Sequence, residues 1–534
     1  MFRYDNIQTS FFDFDELWER LIPQNSKYRL FRELAPILVN PEDLKGLYCH
    51  NNGRPSHYAL KMTLACLLQQ MHGESDRDME RQTQVNLEFK YALGMGVDEP
   101  GIDACSLLVH RKLLIEHKLD KILLHRFVYL LYYLGILSGD EPFLTDTTHA
   151  IAPVSESTVI ELVRQGMLLT VRCLKKYCTS RVGLPKAFRY LTSFEETKEF
   201  RLEESAVNLR LQDVVVEADE LIQWAKEQAD FLKDKTLQER LCCLDRILRE
   251  RIVRNADGTI SKTDPSTVKD LLVSAHDIEA RFGCKGKIHW RGYKVATVQV
   301  GDTGFLAAAD ALAANQHDGE SLSFLVDELP LSQVKNPTII GDTHYGAAED
   351  RLEMASKKVR VIAPVTKMQH GLALEEEGFV ISSDHQILTC PQEYCFTKPY
   401  EVKYGHQFHL LLTKKSPCNS CPLVNKCFGG KKRRTVFIHK HYEVLLAAEK
   451  EAKTSEFRAA MKLRARIEAK QNELANHYGL RRTFYSDRRN LVYAARMRSL
   501  GANFSRLEKL FNDRKHPLIL DFEKARTVKW PLIA

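Results

Sequence analysis

The sequence predicts an α/β protein: a mixed sheet with helices packed on it, preceded by an all-helical N-terminal region. Three observations predict this. Residues 286–364 alternate short apolar runs with stretches of helical spacing. Two hairpin strands followed by strand–helix–strand give a mixed sheet covered by helices. Residues 1–135 show only helical spacing, and residues 380–435 break into short, proline-containing, cysteine-rich pieces.

In chain order, Phe11–Leu21, Lys27–Leu38 and His57–Met71 carry apolar residues at helical intervals. Ser75 then stands as a helix cap with acidic residues in the following turn. Short helices joined by short turns fit a helix-turn-helix module and an ordinary bundle equally well. Phe143–Thr145 reads as a short strand ending at Asp146, and Val159–Cys178 as a helix. Residues 195–252 are charged and helical, a long insertion or linker, and Val253–Thr267 is a polar loop. Ile288–Val300 and Gly304–Ala309 form a hairpin. Glu320–Leu329 is a helix, Thr338–Gly341 a strand ending at Asp342, Ala347–Lys357 a helix and Val359–Ala363 a strand. Residues 440–478 form one long helical pattern stopped by Gly479, and residues 484–512 another.

The chain has 534 residues, 44% hydrophobic and 28% charged, and can bury a large core. Its formal net charge of +7 is a mild lean toward polyanions. Placement says more: Lys431, Lys432, Arg433 and Arg434 form one basic cluster. Arg481, Arg482, Arg488, Arg489, Arg496, Arg498 and Arg506 form an arginine-rich stretch. The longest apolar run, Phe127–Leu137, is too short to span a bilayer, which takes about 20 residues. The first residues are polar and the 13 cysteines are odd in number, which favours a reducing cytoplasm over a disulfide scaffold.

The candidate chemistry lies in three acids far apart in sequence: Asp146, Asp342 and Glu468. Oxygen ligands of this kind suit Mg²⁺, and a metal pair stabilises both attacking and leaving oxygens of a phosphodiester. Each acid alone reads as a cap or a surface residue. Together, two strand-end aspartates and a helix glutamate make a site, because ligands in open sheets bind beyond the carboxyl ends of strands. On the helix, Arg464, Glu468 and Asn472 share a face by their four-residue spacing. Glu456 and Glu473 are rival third acids. A second constellation is Cys390, Cys418, Cys421 and Cys427. Its two-residue spacer between Cys418 and Cys421 suits a structural Zn²⁺ site, with Cys395, His406 or His409 as substitutes for Cys390.

These residues sit in stretches that resemble bacterial insertion-sequence transposases of the DDE type, in particular the branch written out as IS-eleven-eighty-two. The stretches run in order: Gly53-Arg-Pro-Ser, Leu67-Leu-Gln-Gln-Met-His-Gly-Glu-Ser-Asp-Arg, Asn86-Leu-Glu-Phe-Lys-Tyr-Ala-Leu-Gly, Asp146-Thr-Thr-His, Asp277-Ile-Glu-Ala-Arg-Phe-Gly, Asn315-Gln-His-Asp-Gly, Gly341-Asp-Thr-His-Tyr and Arg464-Ala-Arg-Ile-Glu-Ala-Lys-Gln-Asn-Glu-Leu. The resemblance implies a ribonuclease-H-like core with Asp146, Asp342 and Glu468 as catalytic ligands of Mg²⁺ or Mn²⁺. It also implies nicking of double-stranded DNA at terminal inverted repeats and strand transfer into target DNA. A homodimer or higher oligomer on DNA follows from it, in the cytoplasm and at the nucleoid. Arg464, Lys470, Asn472, Lys431–Arg434, Arg481 and Arg482 are the expected DNA contacts. The implied division is a helical DNA-binding region 1–135, core pieces 140–194 and 271–370, a helical insertion 195–270, a zinc-ribbon-like insertion 380–435, a glutamate helix 436–480 and a basic C-terminal part 481–534. Met461 and Ala475 stand where related enzymes have Tyr and Lys, and Asp103-Ala-Cys-Ser-Leu is looser than the related motif. The competing readings are an inactive, transposase-derived DNA-binding protein and a stand-alone nuclease on the same fold.

Overall fold

In the computed structural model, the described residues are 15–48, 58–154, 157–178, 183–192, 199–228, 233–365, 374–413 and 416–531. The Gly53-Arg-Pro-Ser stretch lies outside them.

The centre is a six-stranded mixed sheet. Its strands are β1 (Phe143–Ile151), β2 (Arg281–Lys285), β3 (Ile288–Val300), β4 (Phe305–Ala313), β5 (Thr338–Ile340) and β6 (Arg360–Ile362). β1 runs antiparallel to β3, from Phe143 opposite Val300 to Ile151 opposite Gly292. On the other edge of β3, β4 and β2 follow one another, both antiparallel. Beyond β1 the sheet turns parallel, with β5 beside β1 and β6 beside β5.

The strand expected to stop at Thr145 continues to Ile151. Thr147, Thr148 and His149 look like turn residues, yet β-branched threonine fits a pleated surface and all three pair with β3. Asp146 is therefore inside a strand, not at its end. The expected polar loop 253–267 contains a short hairpin, Ile252–Arg254 with Ile260–Lys262. The long 440–478 pattern splits into α6 (Tyr442–Ala452) and α7 (Ser455–Asn472), because the Thr454 side chain accepts the Phe457 N–H and starts a new helix. A wide turn of helix follows over Glu473–His477. Gly479, in the left-handed region at φ 71°, ends it as expected.

Helices α1 (Ala59–His72) and α2 (Leu119–Tyr133) and the other N-terminal helices share one apolar core with the sheet. Phe31, Phe127 and Leu68 bury against the same cluster as Phe143, Val298, Val300 and Phe305. α8 (Arg488–Phe511) runs between them and contributes Met497, Leu500 and Phe504. Arg496 on α8 pairs with Asp120 of α2 at 2.8 Å and with Glu328, so a buried ion network spans the same seam. By contrast, α3 (Val159–Leu174), α4 (Glu204–Glu227) and α5 (Lys235–Arg251) close a separate core of their own. The cysteine-rich stretch folds as two small three-stranded sheets around a third core that includes Phe379, Phe408 and Phe428.

Candidate active site

The opposite face of the sheet receives α7. Leu144 of β1, Ile340 of β5 and Ile362 of β6 bury against Phe457, Ala460 and Ile467 of α7. Residues alternate faces along a strand, so Asp146, two beyond Leu144, faces α7 as well. The parallel register sets Leu144 beside Ile340. Two residues farther along each chain stand Asp146 and Asp342. β5 has ended, and Asp342 caps the turn Thr343–Tyr345 by accepting the His344 N–H at 2.8 Å. Gly341 just before it admits the fully buried Tyr345 ring. A Cβ there would meet that ring at 2.7 Å, closer than any packed carbon.

The helix is anchored onto the acids by Gln471. Its side-chain amide donates to the Asp146 carbonyl at 2.8 Å and to Thr297 Oγ1 at 2.6 Å, on the strand opposite Asp146. Gln471 lies three residues beyond Glu468, on neighbouring turns of one face. Arg464 bridges two of the acids. Its guanidinium bonds Glu468 at 2.6 Å and lies 3.6 Å from the Asp146 carboxylate. Burial pushes the Asp146 carboxyl up to about 6. The Thr147 N–H opposes that shift, the Asp342 charge adds to it, and Arg464 and Lys285 also oppose it. Asp342 is thus close enough to be felt at Asp146.

The rival acids are engaged elsewhere: Glu456 pairs with Arg360 at 2.9 Å and Glu473 with Lys470 at 2.6 Å. Lys470 is buried on another face of α7, and Asn472 accepts from Asn476 rather than facing Asp146. On the reverse face of β1, Asp318 accepts from Thr147 Oγ1 at 2.8 Å and pairs with Lys294 at 2.7 Å. Arg481 bonds the His149 ring at 2.9 Å. Sequence reasoning missed Gln471, Lys285 and Asp318. Gln471 had one available signal, its place three residues from Glu468. Asp318 stands in the Asn315-Gln-His-Asp-Gly stretch, and Lys285 is brought near only by sheet pairing.

Cys390, Cys418, Cys421 and Cys427 line one pocket together with Glu377, Phe396 and Arg434. Arg434 donates to the Cys427 carbonyl at 3.0 Å and pairs with Glu377. Of the basic cluster it is therefore the member turned inward. Lys431, Lys432 and Arg433 are exposed. Of the alternative ligands, Cys395 contacts Thr389, His406 contacts Gln386, and His409 contacts Thr435 and Arg433. Among the described residues, no three His, Cys, Asp or Glu side chains are drawn together tightly enough to hold a metal ion. Asp146 and Glu468 are instead tied through Arg464, and the four thiols line a common pocket.

Two family models match the chain. One, described as Transposase domain (DUF772), covers residues 16–113. The other, described as Transposase DDE domain, covers residues 249–504 and so includes Asp342 and Glu468. Together the two matches indicate an insertion-sequence DDE transposase. Neither a curated protein nor a solved structure matches it. The curled mixed sheet with its covering helices is consistent with a ribonuclease-H-like DDE domain. DNA transposition is the function of this family, and divalent metal ions generally serve it. No helix among the described residues of this transposase is long and apolar enough to cross a membrane.

Proposed function

We propose that this transposase nicks double-stranded DNA at the ends of its element and transfers the freed 3′-hydroxyl into target DNA, using Asp146, Asp342 and Glu468. The observation that carries this reading is Asp146 on the sheet face beneath the helix that bears Glu468, with Asp342 just past the end of the neighbouring parallel strand. The donor set suits Mg²⁺ or Mn²⁺ in kind: three carboxylates, all hard oxygen ligands, on β1, on the turn after β5 and on α7. When bound, such ions would supply Lewis-acid stabilisation of the attacking and leaving oxygens. Asp146 and Asp342 would hold them from the sheet and Glu468 from α7. Gln471 keeps α7 seated on Asp146, and Arg464 and Lys285 give the site positive charge for a phosphate backbone. Arg481 and Arg482, at the far end of β1, continue that charge, and Lys431–Arg433 offer a second contact. Assembly of two or more copies on paired element ends, at the nucleoid, belongs to the same reading, as do the IS-eleven-eighty-two branch and the division into an N-terminal DNA-binding part, a split core and two insertions.

The test is Asp342→Asn. The variant should bind element-end DNA as the parent does and lose nicking by about 10³-fold, the several kcal/mol a metal site contributes to such a transition state. Undiminished cleavage would overturn the assignment. A structural Zn²⁺ at the four pocket cysteines is part of the proposal, supported by their shared pocket. Purified protein should carry about one zinc per chain and lose it in the Cys418→Ser, Cys421→Ser double variant. Metal-free protein with an unchanged melting profile would reject it.

A further inference from the structure

Phe484 is 86% exposed, more than any other aromatic residue among the described residues; Tyr400 follows at 61%. It does not lie on a loose loop. Before it, the chain pairs with the end of β1: the Ile151 N–H donates to the Arg481 carbonyl at 2.9 Å, and the Thr483 N–H to the Ile151 carbonyl at 3.2 Å. Thr483 is buried. After it, Tyr485 turns inward, accepts from Gln70 of α1 at 2.6 Å and lies under the Arg111 guanidinium. The Asp487 N–H then donates to Asp277 at 3.1 Å, and α8 begins. A large apolar ring is held out into solvent between two anchored neighbours.

Exposed arginines flank it in the chain. Arg482 and Arg489 are exposed and have no carboxylate partner among the described residues. Arg481, three residues before Phe484, bonds His149, whose ring packs against Trp290 at 5.0 Å. The ring stands at the strand end five residues past Asp146, about 17 Å along β1 at roughly 3.4 Å per residue.

We propose that Phe484 is a stacking platform for an unpaired nucleobase of the bound DNA, with Arg482 and Arg489 holding the adjoining phosphates. This rests on the reading that the chain acts on DNA. An aromatic face set among unpaired arginines fits single-stranded nucleic acid, because every base offers a π-face and every link a phosphate. Intact duplex hides those faces, so the base must come from a frayed or cleaved end. The site thus favours processed ends over uninterrupted duplex.

The experiment uses the full chain in EDTA, where nothing is cut. The probe is a duplex oligonucleotide with a short single-stranded 3′ tail bearing 2-aminopurine, compared with the blunt duplex. Phe484→Ala should weaken binding to the tailed probe about tenfold and abolish the 2-aminopurine fluorescence change. It should leave blunt-duplex binding and the melting temperature unchanged, and Phe484→Trp should restore the loss. Equal tailed-probe affinity and fluorescence for Phe484→Ala and parent would overturn the proposal. So would a variant that loses self-association while keeping both DNA signals, since Phe484 would then be a contact between copies. Nicking of duplex by the parent in Mg²⁺, measured in parallel, reports separately on the transposase reading. Stacking without nicking sinks only that reading, and nicking without stacking sinks only this inference.

Discussion

The acid site and the cysteine pocket both gather side chains of metal-ligating type from distant parts of the chain, but they are built in opposite ways. The acids are placed by regular structure. One parallel register and one helix seated by Gln471 fix their positions, and the sheet beneath them shares its core with the N-terminal helices and α8. The thiols lie on turns and short helices around a small separate core. A site on strands is preorganised whatever it binds. A site on turns depends on what it binds to hold its shape.

Acid titration should break the two regions apart. His110 is buried and bonded to Tyr48 and Thr63, and burial lowers its pKa to about 4. A depressed folded-state pKa gives stability that is complete above the unfolded value near 6.5 and is lost as pH falls toward 4. The loss is about 3 kcal/mol. His72, in the same core, shifts the same way. The unit of N-terminal helices and sheet should melt progressively earlier across that window, and His110→Gln should flatten the slope. A slope that His110→Gln leaves intact would detach the histidine from the effect.

Next in size is the seat of α7. Gln471→Leu removes two buried hydrogen bonds and leaves the Asp146 carbonyl and the Thr297 hydroxyl without them, a cost of about 1–3 kcal/mol. Nicking should fall roughly tenfold or more, while DNA affinity and the cysteine module stay as they were. Wild-type nicking would mean that apolar packing alone orients Glu468.

The smallest expected effect sharpens the comparison most. Arg464 neutralises Asp146 and Glu468 from within, as a guanidinium between two carboxylates. Arg464→Met should tighten Mn²⁺ binding several-fold by calorimetry, because the ion no longer displaces an internal cation. The same variant should cut DNA more slowly for want of a phosphate contact. Unchanged or weaker Mn²⁺ affinity would show that the guanidinium leaves the acids without cost.

The sequence by itself determined a good deal. Apolar periodicity and turn residues marked the hairpin Ile288–Ala309, the strand before Asp342, the helix carrying Glu468 and its end at Gly479, since these are local preferences written within a few residues. Residue chemistry singled out the three acids and the four cysteines. Tertiary structure decided the rest. Asp146 looked like a strand end because Thr147, Thr148 and His149 are polar. Only pairing with β3 makes them strand, and pairing is a property of a partner about 150 residues away. The inward turn of Arg434 onto Glu377 and the reach of Arg464 to Asp146 likewise depend on long-range contacts. The exposure of Phe484 was legible in no local pattern, because residue 484 simply opens the helical spacing of 484–512. Its ring is held outside only because Thr483 and Tyr485, on either side, are both fastened to the body of the fold.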